Sequence, residues 1–290
     1  MGEKLSIIAC FYDCDQTLTP EYMQEPMLRS MGIDPQDFWT DNNKLKKDAV
    51  ALDTDVNTET VYMINLLNYI KEGKIPPLSN SDLRKYGNMI IPFPGLPEFF
   101  LRTKKSVEER YGRQGIKLEH YIISTGLRKM IQGSPLNVQG AIDQIFASEF
   151  LEQGGVIRYP ARTIGFIEKT RCLYEANKGV NVDPGIDVNK RMPSDQRRIY
   201  FENMIYVGDG FTDVPCMALT IERGGTSIGV YDHHNPKAKK EVAELLQDGR
   251  ISSLAKTDYR KGKEASEVIE QSIINAAERI LKGKCQKSKR

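Results

Sequence analysis

Leu5-Ser6-Ile7-Ile8-Ala9-Cys10-Phe11-Tyr12-Asp13-Cys14-Asp15-Gln16-Thr17 is the stretch that decides the fold of this 290-residue chain. Up to Tyr12 it is apolar but for one serine, rich in Ile and aromatic side chains, and too short for a typical helix. It reads as a buried strand. Alternation along a strand sends Asp13 and Asp15 the same way at its exit. Two carboxylates held that close repel, and a cation or a shared proton relieves them. The pair therefore predicts a divalent-metal site with one carboxylate left for chemistry. Cys14 faces the other way and reads as packing, because a thiolate there would meet two adjacent negative charges.

A second acidic strand end lies far downstream. Met204-Ile205-Tyr206-Val207 is a short apolar run that ends in Gly208-Asp209-Gly210-Phe211-Thr212-Asp213. The glycines permit a tight turn, and Pro215 suits the first turn of a helix beginning near Thr212. Hard cations such as Mg²⁺ take carboxylate oxygens. Asp13, Asp15, Asp209 and Asp213 form a candidate cage. Between the two strand ends, Tyr121-Ile122-Ile123-Ser124-Thr125-Gly126 reads as a third strand with a hydroxyl pair and a glycine at its end. Ser124, and backbone amides at Thr125 and Gly126 if a helix starts there, would bind a phosphoryl group. Lys169 opens an expected helix to Lys178, closed by Gly179, and would offset phosphate charge.

In this order the four pieces resemble the four motifs of the haloacid dehalogenase-like (HAD) superfamily. Asp13 and Asp15 match the first, Ser124 the second, Lys169 the third, and Asp209 with Asp213 the fourth. Ile91-Pro92-Phe93-Pro94-Gly95-Leu96 resembles the return from cap to core in phosphoserine phosphatase-like members. The resemblance implies that Asp13 is a nucleophile forming an aspartyl-phosphate and Asp15 a general acid and base. It further implies that Ser124 and Lys169 orient the phosphoryl group and that Asp209 binds Mg²⁺, with Asp213 as ligand or support. The backbone carbonyl of Asp15 also typically helps bind the metal. Members that cleave carbon–halogen bonds typically lack the second Asp, so Asp15 points to phosphate esters. Ser124-Thr125-Gly126 departs from the Ser-Gly-Gly common in phosphoserine phosphatases.

The expected fold is α/β: a Rossmann-like parallel sheet covered by helices on both faces, with an inserted, mainly helical cap. Strands alternating with helices imply such a sheet, and ligands lie at its strand ends. The expected organisation is a core of residues 1–17 and 91–281, a cap of 18–90 and a basic tail of 282–290. In the cap, one helix carries Tyr22, Met23, Met27, Leu28 and Met31 and stops at Gly32. A second is capped by Asn57 and ends at Gly73. A third begins at Ser79 or Ser81. Glu21, Glu25, Arg29 and Arg128 are candidates to read a substrate's polar groups.

Composition sets further bounds. Hydrophobic residues make up 40% and charged residues 28%, as in globular proteins. Lys+Arg 41 against Asp+Glu 39 gives +2, which offers no general case for nucleic acid or membrane. Five scattered cysteines without a CxxC pair suit a reducing compartment. No signal peptide or membrane-length apolar run is visible, so a cytoplasmic location is expected. Three scattered histidines make zinc improbable. The leading expectation is a Mg²⁺-dependent phosphatase acting on a small phosphorylated metabolite. The alternatives are a phosphotransferase or phosphomutase with the same residues, and a non-enzymatic binding protein on the same core.

Overall fold

The computed structural model describes residues 6–287, and side chains up to residue 283. In chain order the elements are β1 (Ser6–Tyr12), α1 (Gln24–Ser30), α2 (Pro35–Ala51), α3 (Thr58–Lys71), α4 (Asn80–Tyr86), α5 (Glu98–Tyr111), β2 (Ile116–Leu127), α6 (Arg128–Gly133), β3 (Gln144–Gln153), β4 (Val156–Arg162), α7 (Glu168–Lys178), β5 (Met204–Gly208), α8 (Val214–Glu222), β6 (Thr226–Tyr231), α9 (Pro236–Gln247), β7 (Ser253–Lys256) and α10 (Glu264–Lys287). The strands form one seven-stranded sheet, ordered β4-β3-β2-β1-β5-β6-β7. Neighbouring strands run parallel except for β3 and β4, which are antiparallel.

Period-2 alternation in β1 explains how the sheet is covered. Ile8, Cys10 and Tyr12 enter one apolar cluster with Phe99, Phe100 and Ile269. Ile7, Ala9 and Phe11 enter another with Cys172, Leu173 and Met217. Both faces of β1 are buried, which is why its sequence reads as a continuous apolar run. Asp13 follows Phe11 in the alternation and so emerges on the side of α7 and α8. The α/β fold, with its mainly helical insertion between β1 and β2, is the one expected.

Several local expectations are corrected. Leu5 lies outside the described residues. β2 runs on through Ser124-Thr125-Gly126 to Leu127, and α6 begins only at Arg128. The register between β2 and β3 shifts between Ile123 and Leu127, so the strand bends past the second motif and no helix begins there. α10 continues through residues 282–287 of the expected tail, and residues 288–290 lie outside the described residues. Asn57 occupies the N-cap of α3, but its side chain makes no capping bond. Ser79 caps α4 in a reciprocal box with Asp82.

α2 was not anticipated. Only Phe38 and Asn42 are buried along its length, so its apolar stripe is too thin to announce a helix. The cue was Asp34-Pro35: the Asp34 side chain accepts from the Gln36 amide at 2.9 Å, and Pro35 takes the first helical position. No helix among the described residues is long and apolar enough to cross a membrane.

Candidate active site

The C-terminal ends of β1 and β5 are hydrogen-bonded neighbours, with Tyr12 opposite Val207. The Asp13 amide continues the pairing by donating to the Val207 carbonyl at 3.0 Å. Residues 192 or more apart in sequence therefore meet at one place. One carboxylate oxygen from each of Asp13, Asp209 and Asp213 falls within 4.8 Å of the other two. Lys169, buried in the first turn of α7, places its Nζ 2.7 Å from Asp213 Oδ1 and 3.1 Å from Asp13 Oδ2. Two of the three carboxylates thus share one ammonium group, and Asp209 has no ion pair to it among the described residues.

Each acid is held by a second group. The Cys14 amide donates to Asp13 Oδ1 at 2.7 Å. Thr17 Oγ1 donates to Asp209 Oδ1 at 2.9 Å. Tyr206 Oη donates to Asp213 Oδ1 at 2.7 Å. Thr17 and Tyr206 were missed in the sequence, although both lie within the flagged stretches. Gly208 is required by close approach, because a Cβ there would stand 2.3 Å from Asp213 Oδ2. That oxygen is buried and has no hydrogen-bond partner among the described residues.

The electrostatics record the excess of negative charge. Burial, opposed by Lys169 and reinforced by Asp213, lifts the Asp13 carboxyl to about 6. Asp209 is raised well above the carboxylate range by burial, then by Asp213 and Asp13. Burial with three charges of one sign and one of the other is unfavourable for carboxylates. An oxygen-liganded divalent cation fits this donor set, and the orphaned Asp213 Oδ2 supplies a coordination position. The exposed group Asp232, His233 and His234 also brings metal-type ligand atoms together, but no buried, partnerless oxygen accompanies it.

Asp15 does not join the carboxylate group. The chain turns back at Cys14, whose carbonyl accepts from Leu18 and Thr19, and Gln16 has φ of 61°. Asp15 thus lies in the turn beyond the end of β1, and it is not among the three carboxylates that come together. Its Oδ1 accepts from the Met23 amide at 3.0 Å and it lines a cavity beneath α2 and α3. Burial, then the charge of Asp13, pushes its carboxyl up to about 8. Cys14 is fully buried in the apolar core, as its reading required.

Ser124 is buried at the bend of β2, where its Oγ accepts from the Gly126 amide at 3.0 Å. That amide is therefore engaged locally and is not an open anion-binding donor. The Thr125 carbonyl accepts from Tyr62 Oη at 3.0 Å and Ser148 Oγ at 2.9 Å, which ties α3 to the sheet. Of the four charges expected to read a substrate, Glu25 alone lines the cavity. Arg29 pairs with Glu21 at 2.5 Å and Arg128 with Glu149 at 2.7 Å.

No family model matches the chain. Among curated proteins, an uncharacterized protein of Borreliella burgdorferi is 27% identical over 284 residues, covering 90% of this chain and 95% of that one. Among solved structures, a probable phosphoserine phosphatase from Vibrio cholerae superposes with a TM-score of 0.54 at 13% identity, over 96% of this chain and 69% of that one. A HAD family hydrolase from Salmonella enterica serovar Typhi gives 0.50 at 18% identity, over 82% of this chain and 66% of that one. A phosphoserine phosphatase in apo form gives 0.50 at 14% identity, over 91% and 98%. At these identities the likeness is one of fold, and the fold is HAD-like and phosphoserine phosphatase-like.

Proposed function

We propose that this protein is a Mg²⁺-dependent phosphatase that hydrolyses a small phosphate monoester through an aspartyl-phosphate. The observation that carries the reading is the convergence of Asp13, Asp209 and Asp213, two of them paired with the single lysine Lys169, next to a cavity that Asp15 lines. Asp13, Asp209 and Asp213 would hold Mg²⁺, with the Asp15 backbone carbonyl as a further oxygen, and the ion would neutralise charge on the phosphoryl group.

In this reading the Asp13 oxygen attacks phosphorus, and the bond from phosphorus to the ester oxygen breaks. Asp15 gives its proton to the departing alkoxide, which leaves as an alcohol. The Asp15 carboxylate then takes a proton from water, and that water's oxygen attacks the aspartyl-phosphate. Phosphate leaves and the Asp13 carboxylate is restored. Lys169 balances negative charge beside Asp13, and Ser124 stands at the neighbouring strand end as a phosphoryl contact. Thr125 lines the cavity beside Asp15, and the cap limits the access of water. Most of the acceleration comes from positioning and charge.

The test is phosphate release across a panel of monoesters, with Mg²⁺ and with EDTA, for wild type and Asp13→Asn. Release that needs metal and disappears in the variant is the expected result. Release that persists in Asp13→Asn contradicts the nucleophile. Product that appears only when an added alcohol accepts the phosphoryl group replaces hydrolysis by transfer.

A further inference from the structure

The cavity that Asp15 lines has a volume of about 500 Å³ and is roofed by α2 and α3. Its lining is unusual for a pocket beside a phosphate site: among the described residues it contains no Lys, Arg or His. It does contain Glu25 and Glu59 in addition to Asp15. Glu59 is buried, and no ion pair to it forms among the described residues. Glu25 accepts from Trp39 Nε1 at 3.2 Å, and its one ion pair among the described residues is with Arg29 at 3.7 Å, which binds Glu21 more closely.

Two further features ask for a donor. Gln24 and Asn42 line the cavity at 3% exposure each, and Gln24 Oε1 and Asn42 Oδ1 have no hydrogen-bond partner among the described residues. A buried acceptor without a donor is destabilising, so both oxygens favour a ligand that brings N–H groups. The aromatic wall completes the set. Trp39 stands between Tyr22 and Tyr62, with ring centroids 5.2 and 6.3 Å apart. Rings that face a common space attract a cation through their quadrupoles.

We infer that this cavity receives the alcohol part of the substrate as a protonated amine, so that the substrate class is a phosphate monoester of an amino alcohol that carries no carboxylate. The inference rests on the phosphatase reading, in which Asp15 protonates the leaving oxygen and the alcohol therefore lies on its side. An ammonium group would pair with Glu59 and Glu25, donate to the orphaned amide oxygens and lie against the rings. A carboxylate in the same place would meet acids with no cation inside the cavity to pair with it. The pocket thus separates an amino alcohol phosphate from phosphoserine, which differs by that carboxylate. Orphaned acceptors favour an amine with N–H groups over a quaternary one.

The experiment compares kcat/KM for O-phosphoethanolamine, propyl phosphate, phosphocholine and O-phospho-L-serine with Mg²⁺ present. Propyl phosphate replaces the ammonium by a methyl of similar size. The expected result is a preference of at least about tenfold for phosphoethanolamine over propyl phosphate and over phosphoserine, since a desolvated cation–aromatic contact and a charged hydrogen bond both favour the ammonium. Phosphocholine should fall between. Glu59→Gln should bring the phosphoethanolamine to propyl phosphate ratio toward one. Equal or better turnover of propyl phosphate or phosphoserine overturns the pocket assignment and leaves the phosphatase reading intact. If no ester is cleaved, the phosphatase reading fails. The pocket is then judged by calorimetric binding to the folded Asp13→Asn variant, where tighter binding of phosphoethanolamine than of propyl phosphate upholds it and the reverse removes it.

Discussion

Two buried charge clusters sit on β2 and its neighbours, and they are built on opposite principles. Near the start of β2, the single carboxylate of Glu119 meets two cations: Arg198 reaches both its oxygens at 2.7 Å and Lys117 approaches to 2.9 Å, while Tyr121 donates its hydroxyl. Burial alone would raise Glu119, but the hydrogen bonds from Arg198, Tyr121 and Lys117 outweigh it and hold the carboxyl down at about 2. Beyond the other end of the strand, Asp13, Asp209 and Asp213 cluster around one cation, Lys169, which pairs with only Asp13 and Asp213, and burial lifts Asp13 to about 6. The first cluster is satisfied by the chain itself. The second is left in need of positive charge, which is how a site that must receive a cation and then a phosphate differs from an ion pair that holds a fold.

The comparison can be broken at either end. Asp13→Asn removes an oxygen nucleophile and one of the three competing acids. It should lower phosphate release on the order of 10⁴-fold or more, as loss of a nucleophile does elsewhere. Its thermal midpoint in EDTA should not fall below wild type. A large loss of stability in that variant would show that Asp13 supports the fold in the manner of Glu119.

Glu119→Gln should do the reverse. A folded value of about 2 against an ordinary 4.5 means that the stabilisation is present above about pH 4.5 and is lost as pH falls toward 2. The variant should be less stable by up to about 3 kcal/mol at neutral pH. Urea titrations at several pH values should show the gap closing in acid, with phosphate release per folded molecule unchanged. A gap that stays constant with pH would assign the effect to packing.

Mg²⁺ sharpens the contrast from the solvent side. At 100 times its dissociation constant it should stabilise the wild type by about 2.7 kcal/mol. Asp209→Asn should lose most of that shift, and Glu119→Gln should keep it. Scanning calorimetry with and without the ion decides this. The smallest effect concerns the tie between α3 and the sheet. Tyr62→Phe removes one hydrogen bond to the Thr125 carbonyl and should cost about 1 kcal/mol in a denaturant titration, because Ser148 still donates to the same oxygen.

The three strand ends that carry acids or a hydroxyl were legible because each is a short apolar run that stops at such a residue, and that pattern is local. Lys169 and Gly179 marked α7 for the same reason. What the sequence concealed was direction. Period-2 counting carried the strand on to Asp15, but β1 ends at Tyr12 and Asp15 lies in the turn beyond it, where the Met23 amide donates to its carboxylate. Amide donors at Thr125 and Gly126 depended on a helix starting there, but the strand bends on to Leu127. The cavity was invisible for a further reason. Trp39 and Asn42 come from α2, whose thin apolar stripe hides it, and they meet Tyr62, Thr125 and Thr212 only in the folded chain.

The central claim is that the Asp13 carboxylate takes the phosphoryl group. Its most direct test is a brief incubation with acetyl phosphate and Mg²⁺, an acid quench and mass spectrometry of the peptides. The account expects one phosphoryl group on the peptide containing Asp13, lost on treatment with hydroxylamine and absent without Mg²⁺. A phosphoryl group on any other residue, or phosphate release with no modification at Asp13 under single-turnover conditions, would contradict it.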